Sequence, residues 1–90
     1  NDRQIARHAF RVRLFTRRGW KPDKAEAWAD RLIERDADRD DRRLCIECSA
    51  LQRTGGCFQA QQGRLQGIDR RLTPITDLLQ RCEGFQWQTQ

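Results

Sequence analysis

The sequence predicts a small, mainly α domain stapled by a metal ion, and three observations point that way. Two amphipathic segments of helical period open the chain, "RQIARHAFRVRLFTRRG" and "PDKAEAWADRLIERD". Three of the four cysteines then crowd into "RRLCIECSALQRTGGCFQ", and the fourth follows in "LLQRCEGF". Only 37% of the 90 residues are hydrophobic and 34% are charged, although three Trp and four Phe argue against a disordered tail. A chain this short buries a modest share of its surface, so a thin core calls for a staple. The expected organisation is a single zinc-binding domain over 1–90, with a helical hairpin at 1–36, a zinc-binding part at 44–85 and a C-terminal helix.

In the first helix Ile5, Ala9 and Val12 follow i, i+4, i+7 spacing, and Ala6, Phe10 and Leu14 run beside them. Arg3, Arg7 and Arg11 form a basic stripe at i, i+4 spacing, and Gly19 stops the pattern. "FRVRLF" also alternates as a half-buried strand would, but the length and Ala-containing start favour helix. The second helix takes Asp23 as N-cap with Glu26 three residues on, a capping-box spacing. Its apolar face is Ala25, Trp28, Ala29, Leu32 and Ile33. The pair turns at "RRGWKP", with Trp20 and Trp28 near the seam.

From Glu34 to Arg43 nearly every residue is charged, as suits a solvated helix end. After the cysteine segment, "TPITDLLQRC" predicts a last helix: Thr73 as N-cap, Pro74 at its first position, and Ile75, Leu78 and Leu79 as its apolar face. Gly84 ends it, and "FQWQTQ" reads as a loose tail with Phe85 tucked back on the core.

The cysteines are spaced C-x2-C-x8-C-x24-C. Zinc takes four soft ligands in a tetrahedron, and C-x2-C is a common way for one turn to supply two of them. Gly55 and Gly56 can take the positive φ that a tight approach to Cys57 needs. Zinc bound by Cys45, Cys48, Cys57 and Cys82 is therefore the first expectation. Two disulfides are the main rival, but nothing signals secretion and a Cys45–Cys48 bridge closes a very short loop. A redox pair lacks the βαβ frame such a motif needs. His8 could stand in for one cysteine, although a lone helical His is more often half-buried. "DADRDDRRLCIE" imitates a calcium loop at Asp36, Asp38, Asp40 and Glu47, but Asp41 stands where the loop needs Gly.

Net charge is +5 and lies mostly at the start: residues 1–24 carry eight Arg or Lys against two Asp. A four-thiolate zinc site would bring the total near +3. The cations Arg3, Arg7, Arg11, Arg17, Arg18, Lys21 and Lys24, with Trp20 among them, form the candidate nucleic-acid-binding face: cations contact phosphates and a Trp can stack on a base. The plain alternative is a solvated face with Trp20 plugging the turn. With one His and no paired acids, no catalytic residues are predicted and the chain is not expected to be an enzyme or to take a small-molecule substrate. No apolar run nears the roughly 20 residues that span a bilayer and no signal pattern opens the chain, so a cytoplasmic protein without membrane contact is expected. With no Met, the chain is expected to be a fragment or processed product, for preference a C-terminal domain of a larger protein.

"RDADRDDRRLCIEC", "GGCFQAQQG" and "LLQRCEGF", with the preceding helices, resemble small cysteine-rich segments of proteobacterial plasmid, phage and integrating-element proteins that process or replicate DNA. The resemblance spans roughly residues 23–85 and leaves out the basic first helix. It implies Cys45, Cys48, Cys57 and Cys82 as ligands, a DNA-related parent protein, and nothing about catalysis. The expected function is an accessory zinc-binding, nucleic-acid-binding module; the alternative is a structural or protein-interaction zinc domain.

Overall fold

The computed structural model describes residues 1–88, and two compact units are distinguished: Asn1–Asp41 and a second that begins at Arg42. The described residues are mainly helical and contain no strand longer than an isolated bridge.

The first unit is the expected hairpin. α1 spans Asp2–Arg17. Its cap is Asn1, whose Oδ1 accepts from Gln4 N at 2.9 Å while the terminal amine donates to Gln4 Oε1 at 3.2 Å. This reciprocal box satisfies amides that the first turn leaves unpaired. α1 is followed by Arg18 as its C-cap, and Gly19 takes φ 107°, a left-handed conformation that costs a glycine little. α2 spans Pro22–Ala37, with Lys21 at the cap position and Pro22 opening the helix. Asp23 is therefore inside the first turn and is not the N-cap expected from the sequence. Proline explains the shift, because its fixed φ suits the first helical position and its missing N–H costs nothing there.

Leu14, Phe15, Ala25, Ala29 and Leu32 are the buried apolar side chains of the hairpin, all at 2% exposure or less. α2 thus buries Ala25, Ala29 and Leu32 of the predicted face and leaves Trp28 and Ile33 half-buried. In α1 only part of the expectation holds. Ile5 is 68% exposed, and the buried positions are Arg11, Leu14 and Phe15. At about 100° per residue Ile5 points about 180° from Leu14, so both predicted strings cannot face one partner.

The second unit holds its chain mostly by turns. A 3-10 turn covers Cys45–Glu47, and a single helical turn, α3, covers Phe58–Gln61. Three isolated antiparallel bridges join Arg43 to Gln80, Cys48 to Trp87 and Leu51 to Cys57. Leu44, Ile46, Cys48, Ala50 and Ala60 make the small apolar core. The predicted C-terminal helix does not form: Thr73–Cys82 is turn and irregular chain with a bridge at Gln80. Its backbone is engaged elsewhere. Thr76 O accepts from Ile46 N at 3.3 Å, and Gln80 exchanges two hydrogen bonds with Arg43 at 2.7 and 2.9 Å. Non-local pairing thus takes groups that a short, marginal helix would need for itself. Phe85 is half-buried and meets Trp87 edge-on at 5.0 Å, so the tail is packed through its aromatic part. The last two residues of that tail lie outside the described residues.

Candidate functional site

The four cysteines come from three separate stretches of the second unit. Cys45 opens the 3-10 turn and Cys48 closes it, with Cys48 N donating to Cys45 O at 3.0 Å. Cys57 precedes α3 and pairs through its backbone with Leu51. Gly55 reaches that position with φ 90°, the positive value expected for the turn. Cys82 follows the Arg43–Gln80 bridge by two residues. No disulfide joins any of the four.

Exposure grades the thiols: Cys48 is buried, Cys45 and Cys57 are half-buried, and Cys82 is exposed. Cys45, Cys57 and Cys82 share the wall of a cleft of about 710 Å³. Several N–H groups aim at the sulfurs. Ala50 N and Gln86 N donate to Cys48 Sγ at 3.4 and 3.5 Å, and Gln80 Nε2 donates to Cys45 Sγ at 3.3 Å.

Electrostatics ties the four together. Burial, and then the nearness of Cys48, Cys82 and Cys57, pushes the Cys45 thiol up to about 11, against a smaller lowering by Gln80. A thiol raised in this way, as that of Cys45 is, stays protonated until a cation offsets its charge. Even so, among the described residues no three His, Cys, Asp or Glu side chains form a ready-made metal-binding group. The two findings differ in range. Coulombic influence reaches several ångströms further than a zinc–sulfur bond of about 2.3 Å. Four thiols suit a soft divalent metal by their chemistry.

Glu47, between the paired cysteines, is 3% exposed, and its Oε1 accepts from Leu44 N at 3.0 Å. That local bond sets the turn from which Cys45 and Cys48 project. Sequence reading saw Glu47 only as the end of a calcium-loop imitation; its signal was the three-residue spacing from the chain's entry into the turn. Asp36, the first residue of that imitation, lies in α2 among arginines. His8 does not stand with the cysteines in sequence or unit: its Nε2 meets Asp30 Oδ1 at 2.8 Å within the hairpin.

The residues of the candidate basic face differ in exposure. Arg3, Arg17, Lys21 and Lys24 are exposed, and Arg18 is half-buried at the end of α1. Arg7 Nη1 reaches Asp36 Oδ2 at 3.3 Å. Arg11 is 5% exposed and pairs with the same oxygen at 2.6 Å, so it lies in the helix seam and off the solvent face. Trp20 is half-buried, with its ring 5.0 Å from Phe15 and 6.3 Å from Trp28, and Lys24 Nζ lies 4.5 Å from its centroid. These contacts make Trp20 a plug for the hairpin turn.

No protein-family model, curated protein or solved structure matches the chain. No helix among the described residues is long and apolar enough to cross a membrane.

Proposed function

We propose that the second unit is a four-thiolate zinc module, with Cys45, Cys48, Cys57 and Cys82 as ligands, and that the chain is an accessory nucleic-acid-binding part of a DNA-processing or replication protein. The observation that supports the metal reading is that Cys45, Cys57 and Cys82, from separate stretches of chain, line one cleft, while N–H donors aim at the sulfurs of Cys45 and Cys48. Zinc bound there would contribute folding free energy to a unit whose apolar core is five small or medium side chains. The role is structural, since four thiolates leave zinc no open position for substrate.

Nucleic-acid binding rests on the exposed cations at the hairpin turn and start, Arg3, Arg17, Lys21 and Lys24. Phosphate contacts by such side chains release counterions, so affinity must fall steeply with salt. The test is oligonucleotide binding to the zinc-loaded chain across a salt series. A specific observation favours a second reading, a protein-interaction module. Ile68, Ile75 and Leu78 line the cysteine cleft yet remain 44%, 64% and 49% exposed. Apolar side chains grouped in this way suit a protein partner. Binding that is absent at low salt, together with retention of a protein partner, would decide for that alternative.

A further inference from the structure

Gln80 makes a contact that the zinc reading does not by itself require. Its side-chain Nε2 donates to Cys45 Sγ at 3.3 Å, across 35 residues of sequence. The main chain beneath it is pinned, since Gln80 and Arg43 exchange hydrogen bonds of 2.7 and 2.9 Å. Arg43 lies two residues before Cys45, and Gln80 lies two residues before Cys82. The bridge therefore joins the chain that leads into the first cysteine to the chain that leads into the last. Gln80 also shares the cleft wall with Cys45, Cys57 and Cys82.

A neutral thiol is a weak acceptor, whereas a thiolate is a strong one. An amide aimed at Cys45 gains most when that sulfur carries the negative charge a metal ligand needs. The same logic recurs downstream, where Gln86 N donates to Cys48 Sγ at 3.5 Å. The segment from Gln80 to Gln86 thus supplies one ligand, Cys82, and one N–H donor to each sulfur of the C-x2-C pair.

We propose that Gln80 is a positioning residue of the zinc site: its side-chain amide holds Cys45 Sγ in place and stabilises it as a metal-bound thiolate. The proposal rests on the reading of the four cysteines as zinc ligands. Outer donors of this kind typically change metal affinity about 10–100-fold when removed. They also alter the electron density on sulfur, which a purely structural side chain does not.

Cobalt(II) is the probe, with the full chain as the protein. Wild type, Gln80→Leu and Gln80→Glu are titrated with the metal, and both affinity and the thiolate-to-cobalt charge-transfer absorption are read. Zinc affinity follows by competition. Leu removes the donor with similar bulk, and Glu keeps the shape while presenting only acceptor oxygens at neutral pH. The expected result is affinity lowered about 10–100-fold in both variants, with a charge-transfer band moved to lower energy. If Gln80→Leu fails to fold, Gln80→Glu decides, because it preserves the side-chain volume without the donor. Variants that bind within about twofold of wild type with an unmoved band overturn the role of Gln80 and leave the zinc site standing. A wild-type chain that binds neither metal overturns the zinc reading, and this inference with it.

Discussion

Arg11 Nη2 lies 2.6 Å from Asp36 Oδ2, which makes one carboxylate the meeting point of both helices of the hairpin. Arg7 joins the same oxygen at 3.3 Å, and Arg35 holds Oδ1 through Nε and Nη2 at 3.1 and 2.9 Å. Burial by itself raises the Asp36 pKa, but the hydrogen bonds and charge of Arg11 and Arg35 outweigh it and hold the group below its ordinary value.

Asp36→Asn should therefore destabilise the hairpin at neutral pH. The loss should be about 2 kcal/mol, between the small worth of an exposed pair and the larger cost of orphaning a buried one. A depressed carboxylate pKa contributes stability above its unfolded value near pH 4, and that contribution is lost as pH falls through the lower folded value. Thermal melts of wild type and variant should differ at pH 7 and converge in strong acid. Equal melting temperatures at pH 7 would remove Asp36 from the stability account.

Arg11 makes the opposite case. Its Nη1 is buried without a hydrogen-bond partner, a cost that the ion pair must offset. Arg11→Met keeps the length and removes the orphan donor, while Arg7 and Arg35 still serve Asp36. Denaturant unfolding should show a change of about 1 kcal/mol or less. A loss as large as that of Asp36→Asn would mean that Arg11 is the indispensable partner.

Glu47 should be structural in the second unit. Glu47→Ala removes the acceptor of Leu44 N, whose residue is fully buried, and a buried unsatisfied donor costs about 1–3 kcal/mol. Hydrogen exchange in the zinc-loaded chain should show faster exchange at Leu44 to Cys48, with the hairpin unchanged. Unaltered protection there would contradict the assignment.

Gly84 has a packing role that its expected part as a helix terminator did not suggest. A Cβ at Gly84 would lie 2.8 Å from Leu65 Cδ2 and 3.2 Å from Gln59 Cβ. The leucine methyl can turn away, but Gln59 Cβ is fixed to a buried backbone, so Gly84→Ala should cost about 1–3 kcal/mol. An unchanged melting temperature for the zinc-loaded variant would show that the neighbours yield freely.

On the nucleic-acid reading, contacts to about four phosphates give a slope of log affinity against log salt of roughly −3 to −4. Reversing Arg17, Lys21 and Lys24 to Glu should weaken binding alike for all sequences, because phosphates carry no sequence information. Arg11→Met should leave the slope unchanged, since its guanidinium is spent on Asp36. A flat salt dependence would point to the protein-interaction alternative.

The hairpin was legible because its signals are local, helical periodicity and Gly19 at the turn, although the start of α2 was placed late because Asp23 was taken as the cap and Pro22 left in the turn. The burial of Arg11 was not, since an arginine at helical spacing reads as solvent-facing until the carboxylate opposite it is known. The second unit shows the same limit. Thr73, Pro74, Ile75, Leu78 and Leu79 have a real helical pattern, yet Thr76 and Gln80 are engaged by Ile46 and Arg43, more than 25 residues upstream. Cysteine spacing singled out Cys45 and Cys48, but not Gln80 and Gln86, whose N–H groups reach their sulfurs from the far end of the unit. Those two are placed by pairing between distant segments, which spacing along one segment cannot express, whereas the Ala50 donor lies only two residues from Cys48.

The most direct test of the central claim is the native mass of the chain, measured before and after treatment with a strong chelator and set beside that of Cys82→Ser. The account predicts one zinc ion per wild-type chain, lost on chelation, with no mass deficit from disulfides, and greatly weakened zinc retention in Cys82→Ser. A metal-free chain lighter by two disulfides, or zinc bound equally well without Cys82, would contradict it.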